Sequence, residues 1–317
     1  MIRTDIIYQS LPYLKDSKFS IIEMKNEMKA IQTKKNLNEA ELAYLVYMWI
    51  TQNIRINIDR DLYEIQEPID AYNSREATLY GITSLFIRMC ELLNIKAGLI
   101  SGYYKYCEKA MIKPENYSWN YISINGTYYL IDVVMGKEKN FEELYFGTDP
   151  EIFIYFHFPN ENKWQLLSKP ITLEKFYSMA LLDEQFFYFG FKTISPDSFE
   201  INGKERFILT YVESYNNPII QFAILNNTFA LKEIKQYEGS HGKIEINYNL
   251  QDENYLEIFI IKEDNPYSII GYKINHSKNH FLNFKNELGK VKFFEGSKNK
   301  NIRGNKKFNI KFLPFKN

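Results

Sequence analysis

The stretch that decides the fold is Leu79–Asn94, LYGITSLFIRMCELLN, together with the three short runs that follow it: Lys96–Tyr106, Trp119–Ile124 and Tyr128–Val133. Ile82, Leu85, Phe86, Met89, Cys90 and Leu93 recur at helical spacing and share one face, which predicts a buried helix over Leu79–Asn94. The later runs are rich in β-branched and aromatic residues and read as strands. The last two are joined by Asn125-Gly126, the dipeptide best suited to a tight hairpin, because both residues tolerate positive φ. A buried helix followed by an antiparallel sheet is an α+β arrangement.

Two helices are expected upstream. Phe19–Thr33 carries an imperfect stripe of Ile21, Ile22, Met24, Met28 and Ile31. The next opens with a capping box, Asn38 with Glu41, and a hydrophobic staple, Leu37 with Leu42; its apolar face reads Leu42, Leu45, Val46, Trp49 and Ile50. Arg55–Pro68 reads as a polar surface loop. From Phe191 the texture changes to short β-rich runs separated by Asn, Gly and Pro: Phe207–Val212, Ile219–Leu225, Lys243–Tyr248, Tyr255–Lys262 and Tyr267–Ile274. That spacing predicts a β-sandwich. The expected organisation is an α+β domain over residues 1–190 and a β-sandwich region over 191–317, with the last ~35 residues a candidate partial further β unit.

The chain of 317 residues is 45% hydrophobic and 25% charged, as globular domains are, and its formal charge is zero. The charge is unevenly spread. Lys278–Asn317 holds eleven Lys or Arg against Glu287 and Glu295, an excess of nine, so residues 1–277 carry minus nine. Lysine alternates with apolar residues in Lys290–Phe294 and Lys306–Phe312, as in strands, so a solvated β edge is the expectation, with contact to an acidic surface the functional alternative. No nucleic-acid partner is expected. Two cysteines, Cys90 and Cys107, cannot build a disulfide framework. No segment approaches the length of a membrane span and no apolar leader opens the chain, so a cytoplasmic location is expected. Four scattered histidines and two distant cysteines predict no metal site, and no phosphate loop or dinucleotide fingerprint predicts a cofactor.

Several blocks carry a family resemblance: Trp49–Ile54, Gly81–Phe86, Ile100–Tyr103, Ser118–Asn120, Tyr129–Asp132, and then Thr148-Asp149-Pro150, His157-Phe158-Pro159 and Trp164–Leu167. In order and spacing they resemble the transglutaminase-like (papain-like) superfamily, in particular its kyphoscoliosis peptidase branch, over roughly Ser20–Ser195. The resemblance implies a papain-like domain followed by an Ig-like β region, and cytoskeletal or cytokinesis-related protein partners. It also implies a triad, which this sequence breaks. The family's nucleophilic cysteine stands two residues before the glycine matching Gly81, where this chain has Leu79. Its histidine stands two residues before the tryptophan matching Trp119, where this chain has Tyr117. Only the aspartate, Asp132, is kept.

A leucine has no lone pair to attack a carbonyl, and a phenol with an ordinary pKa near 10 is a poor general base. Asp132 is left with nothing to orient. Cys90 is eleven positions along the same helix, roughly 16 Å from Leu79, and reads as a structural thiol. Cys107 has no histidine near it in sequence. Ser74 and Thr78 precede the helix, and capping is the expectation for them. His157 reads as a structural residue, and no histidine is expected to restore catalysis. Trp119, Tyr103, Gly102 and Gly81 are groove candidates alongside Tyr104, Tyr106 and Tyr117, with packing of the sheet as the competing reading. The sequence therefore predicts a non-catalytic transglutaminase-like protein acting as a protein-binding or scaffolding module. The alternative is an active cysteine peptidase or transglutaminase with a non-standard nucleophile.

Overall fold

The computed structural model describes residues 2–14, 19–57, 64–105, 114–139, 142–201, 204–212, 218–225, 231–249, 255–262 and 265–274. The expectations for Tyr106, Cys107, His276, His280 and the basic C-terminal region lie outside the described residues. Those described fall into two compact units: one runs to Tyr104 and resumes over Glu115–Pro170, and the other holds Lys105 and the chain from Ile171.

In the first unit the order is α1 (Thr4–Ser10), α2 (Ile21–Lys35), α3 (Glu39–Asn53), β1 (Arg55–Ile56), α4 (Pro68–Ser74), β2 (Glu76–Ala77), α5 (Leu79–Leu92), β3 (Lys96–Lys105), β4 (Pro114–Ile124), β5 (Thr127–Ile131), α6 (Val133–Lys139), β6 (Phe146–Thr148), α7 (Pro150–Phe153) and β7 (His157–Pro159). The capping box of α3 forms as its sequence demands: Asn38 Oδ1 accepts the Glu41 amide at 2.9 Å and Glu41 Oε2 accepts the Asn38 amide at 3.0 Å. Every residue of α3 from Glu41 to Thr51 is buried, so α3 is the central helix of the unit. α5 buries the face predicted for it, Ile82, Leu85, Phe86, Met89, Cys90 and Leu93, and exposes Arg88 and Glu91 on its outer side.

The N-terminal arm is a finding the sequence did not announce. Ile7, Leu11 and Leu14 are buried, and the Trp49 indole N–H donates to the Leu14 carbonyl at 2.9 Å. Arg3 clasps Glu41, with Nε 2.6 Å from Oε1 and Nη2 2.5 Å from Oε2. The acid that closes the capping box thus also holds the arm. The described ends of Arg55–Pro68 are likewise more than surface loop. β1 pairs in parallel with β2, Gln66 is buried, and Pro68 opens α4 from the first helical turn, where its missing N–H costs nothing.

The sheet of this unit has the strand order β6-β5-β4-β3-β7. Asn125 (φ 50°) and Gly126 (φ 81°) make the tight β4–β5 turn that the dipeptide predicted. β5 ends at Ile131 and α6 starts at Val133, so Asp132 alone turns the chain.

The second unit contains α8 (Leu173–Ser178), β8 (Leu181–Leu182), α9 (Glu184–Tyr188), β9 (Phe191–Ser195), β10 (Glu200–Ile201), β11 (Lys204–Tyr211), β12 (Ile219–Leu225), β13 (Leu231–Glu238), β14 (Lys243–Asn249), β15 (Tyr255–Lys262) and β16 (Asn265–Ile274). One sheet runs β10-β16-β15-β12-β13, with β8 also pairing to β16; a second runs β14-β11-β9. All pairings are antiparallel except the short β10–β16 contact. The unit starts ahead of Gly190 because β8 is hydrogen-bonded to β16, which ties Leu181–Leu182 to the C-terminal strands.

Candidate functional site

The edge strand β7 and the inner strand β5 both send a side chain to one point, at Asp132. In a flat sheet β5 and β7, separated by β4 and β3, would lie about 14 Å apart. Yet His157 Nε2, on β7, is 2.8 Å from Asp132 Oδ2, just past the end of β5. The two side chains reach toward each other across β4 and β3 and span most of that distance.

Three donors converge on the Asp132 carboxylate. The Tyr117 hydroxyl donates to Oδ1 at 3.1 Å, the Met135 amide donates to Oδ1 at 2.9 Å, and His157 occupies Oδ2. The backbone is fixed as well, since the Asp132 amide donates to the Tyr145 carbonyl at 2.8 Å and the Asp132 carbonyl accepts the Gly136 amide at 3.1 Å. Both Asp132 and His157 are fully buried, and Tyr117 is 5% exposed. A carboxylate with this many donors is a satisfied acceptor, which makes its burial affordable.

An aromatic shell surrounds the pair. The Phe153 ring stacks on the His157 imidazole with centroids 3.9 Å apart, and Tyr104 and Trp119 meet the imidazole edge-on at 4.9 and 5.0 Å. The segment from Asp149 to Leu167 supplies three of these rings to the sheet. Besides Phe153 and His157, it lays Trp164 on Tyr121 at 4.5 Å. Two glycines of β3 make the room. A Cβ at Gly98 would strike the Tyr121 ring, and one at Gly102 would run into the Phe158 carbonyl and Trp119.

The other half of the site is the start of α5. Thr78 caps it, accepting the Gly81 amide on Oγ1 at 3.0 Å. Gln66 lies across the cap: its Oε1 accepts the Thr78 amide at 2.9 Å and its Nε2 donates to the Glu76 carbonyl at 3.1 Å. A Cβ at Gly81 would collide with the Gln66 side chain, so the glycine there serves the cap. Leu79, half-buried, is the first residue of the helix. Asn120 joins the halves by donating to the Thr83 carbonyl at 3.1 Å.

Residues 26–133 match the transglutaminase-like superfamily. Human kyphoscoliosis peptidase is 27% identical over 189 residues, covering 52% of this chain and 28% of the relative. Hillarin of Drosophila melanogaster is 26% identical over 179 residues, covering 48% and 22%. The Caenorhabditis elegans Lim and transglutaminase domain protein ltd-1 is 24% identical over 182 residues, covering 50% and 25%. This chain therefore spans only about a quarter of the length of these curated relatives. A solved structure described as a crystal structure of a TGase shares 10% identity over 41% of this chain and 31% of that one, with a TM-score of 0.28.

Around Asp132, several sequence expectations need correction. Asp132 does have a histidine beside it. His157 keeps the structural reading given to its Phe-His-Phe-Pro segment, but it is paired with Asp132, which lies 25 positions earlier in the chain. The one available signal was a histidine between two phenylalanines, where a buried imidazole needs a polar partner. Its ring is sealed from solvent. Trp119, Gly102 and Gly81 are buried and pack the interior, as do Tyr104 and Tyr117, while Tyr103 is half-buried. Cys90 is buried on α5, and burial pushes its thiol well above the ordinary range. Among the described residues no group of three or more potential ligands could hold a metal, and no helix is long and apolar enough to cross a membrane.

Proposed function

We propose that this chain is a catalytically silent transglutaminase-like protein that works by binding other proteins, with its β region as a second contact surface. One observation carries the reading: the Asp132 carboxylate is saturated by Tyr117, His157 and the Met135 amide inside a dry aromatic core. In a working triad that carboxylate would orient an imidazole that can reach substrate. Here the position that would supply the imidazole supplies a phenol, and α5 opens on a leucine where a thiolate would draw on the helix dipole. The resemblance to kyphoscoliosis peptidase supports cytoskeletal or cytokinesis-related partners.

The test is turnover by the purified full chain, using peptide substrates for hydrolysis and a glutamine donor with a labelled amine for transamidation. No turnover above the no-enzyme rate is expected, and no fast stoichiometric labelling by a mild alkylating probe. Turnover that disappears in Cys107→Ser would overturn the proposal in favour of a cysteine hydrolase or transamidase.

A further inference from the structure

We infer that Asn125 is a site of spontaneous deamidation in the folded protein, and that its conversion loosens the hairpin that joins Tyr117 to Asp132. The chemistry needs only this chain and water. The Gly126 backbone nitrogen, giving up its proton to hydroxide, attacks Cγ of Asn125. The new C–N bond closes a cyclic imide, and Nδ2 leaves as ammonia. Water then opens the imide at either carbonyl and gives aspartate or isoaspartate, with nothing oxidised or reduced.

The turn meets the requirements of this closure. Asn125 and Gly126 are both exposed and stand between the paired residues Ile124 and Thr127. Among the described residues, no protein group hydrogen-bonds the Asn125 side chain or the Gly126 amide, so neither has to be freed first. A side chain at Gly126 would shield the attacking nitrogen, and the space where its Cβ would stand is open, with nothing within 4 Å. Closure requires Asn125 to leave its left-handed conformation at φ 50°, a region that L-residues occupy only with strain. Gly126, at φ 81°, can follow the rotation because glycine adopts either sign of φ.

Two other exposed asparagines show the contrast. Asn36 and Asn94 are also left-handed, but Leu37 and Ile95 follow them. Those two amides are held at 2.9 Å by the Gln32 and Cys90 carbonyls, which removes the nucleophile. At Asn125 the consequence is structural. Isoaspartate routes the main chain through the side-chain carbons and lengthens it, whereas a two-residue hairpin turn fits a fixed length. The disturbed strands carry Tyr117 and lead into Asp132, whose side chains meet at 3.1 Å.

The test is peptide mapping by mass spectrometry after the folded full chain has stood in mildly alkaline or mildly acidic buffer. Aspartate and isoaspartate are expected at Asn125, faster in the alkaline buffer, with Asn36 and Asn94 unconverted. The chain's other Asn-Gly pair, Asn202-Gly203, lies outside the described residues and maps as a separate peptide. Asn125→Gly keeps residues suited to the turn and should lose the conversion at that position. The urea midpoint should fall in the aged parent and hold in the aged variant, where any share due to Asn202 is read directly. An Asn125 that converts only in the urea-unfolded chain would overturn the inference, because the turn would then protect it. An equal fall of the midpoint in aged Asn125→Gly would overturn the assignment of the loosening to this hairpin.

Discussion

The Nε2 atom of His157 stands 2.8 Å from Oδ2 of Asp132, and neither side chain is exposed to solvent. The pair spans β4 and β3, with one partner on each side of the strands that separate them. Its stabilising value depends on completeness, because a buried charge stripped of a partner costs more than the pair contributes.

Asp132→Ala is therefore expected to destabilise the first unit by about 3–5 kcal/mol, since it removes an acceptor shared by Tyr117, His157 and Met135. Tyr117→Phe loses a single hydrogen bond to a carboxylate and should cost about 2 kcal/mol. Urea denaturation followed by tryptophan fluorescence checks both. A cost below about 0.5 kcal/mol for Asp132→Ala would mean that the cluster does not stabilise the fold.

Arg3 and Glu41 should couple the N-terminal arm to acid stability. Burial by itself would push the Glu41 carboxyl up, but the Arg3 guanidinium, followed by the Asn38 and Arg3 backbone amides, holds it below the ordinary 4.5. A depressed folded pKa gives stability that is present above the unfolded value and lost as pH falls through the folded one. Arg3→Ala should raise the midpoint pH of acid unfolding, read by circular dichroism. An unchanged midpoint would show that the arm does not depend on this pair.

Glu143 should act in the opposite sense and in a different window. Burial, aided by the neighbouring Glu142 carboxylate, pushes its carboxyl from 4.5 to about 7. The folded chain keeps a proton that the unfolded chain releases, so stability should decline as pH rises from about 4.5 through 7. Because the group is partly open to solvent, the full shift overstates the effect, and about 1 kcal/mol is expected. Glu143→Gln should flatten the thermal midpoint across that range. A midpoint with the same slope in the variant would assign the decline to another group.

Cys90 should be inert in the native state. In a Cys107→Ser background, a thiol reagent at pH 8 should label less than one tenth of the protein in the time that labels all of it in denaturant, because burial raises the thiol and closes access to it. Fast native labelling would show that α5 opens locally.

The local signals were read well where they are local. The α3 capping box, the Asn125-Gly126 turn and the helix at Leu79 all form, because each depends on residues within four positions of one another. The N-terminal arm was missed because α1 is too short to show a period. Its anchors, Arg3 with Glu41 and Leu14 with Trp49, join residues that are more than thirty positions apart.

The order of residues settled on its own that α5 opens on Leu79 and that Tyr117 stands two places before Trp119, for these are matters of identity and spacing. It could not settle what surrounds Asp132. His157 and Phe153 arrive there only through the fold, and the rings packed against Gly98 and Gly102 belong to strands that are neighbours in space. Identity is written along the chain, whereas burial and partnership are set by which distant side chains share the same dry volume.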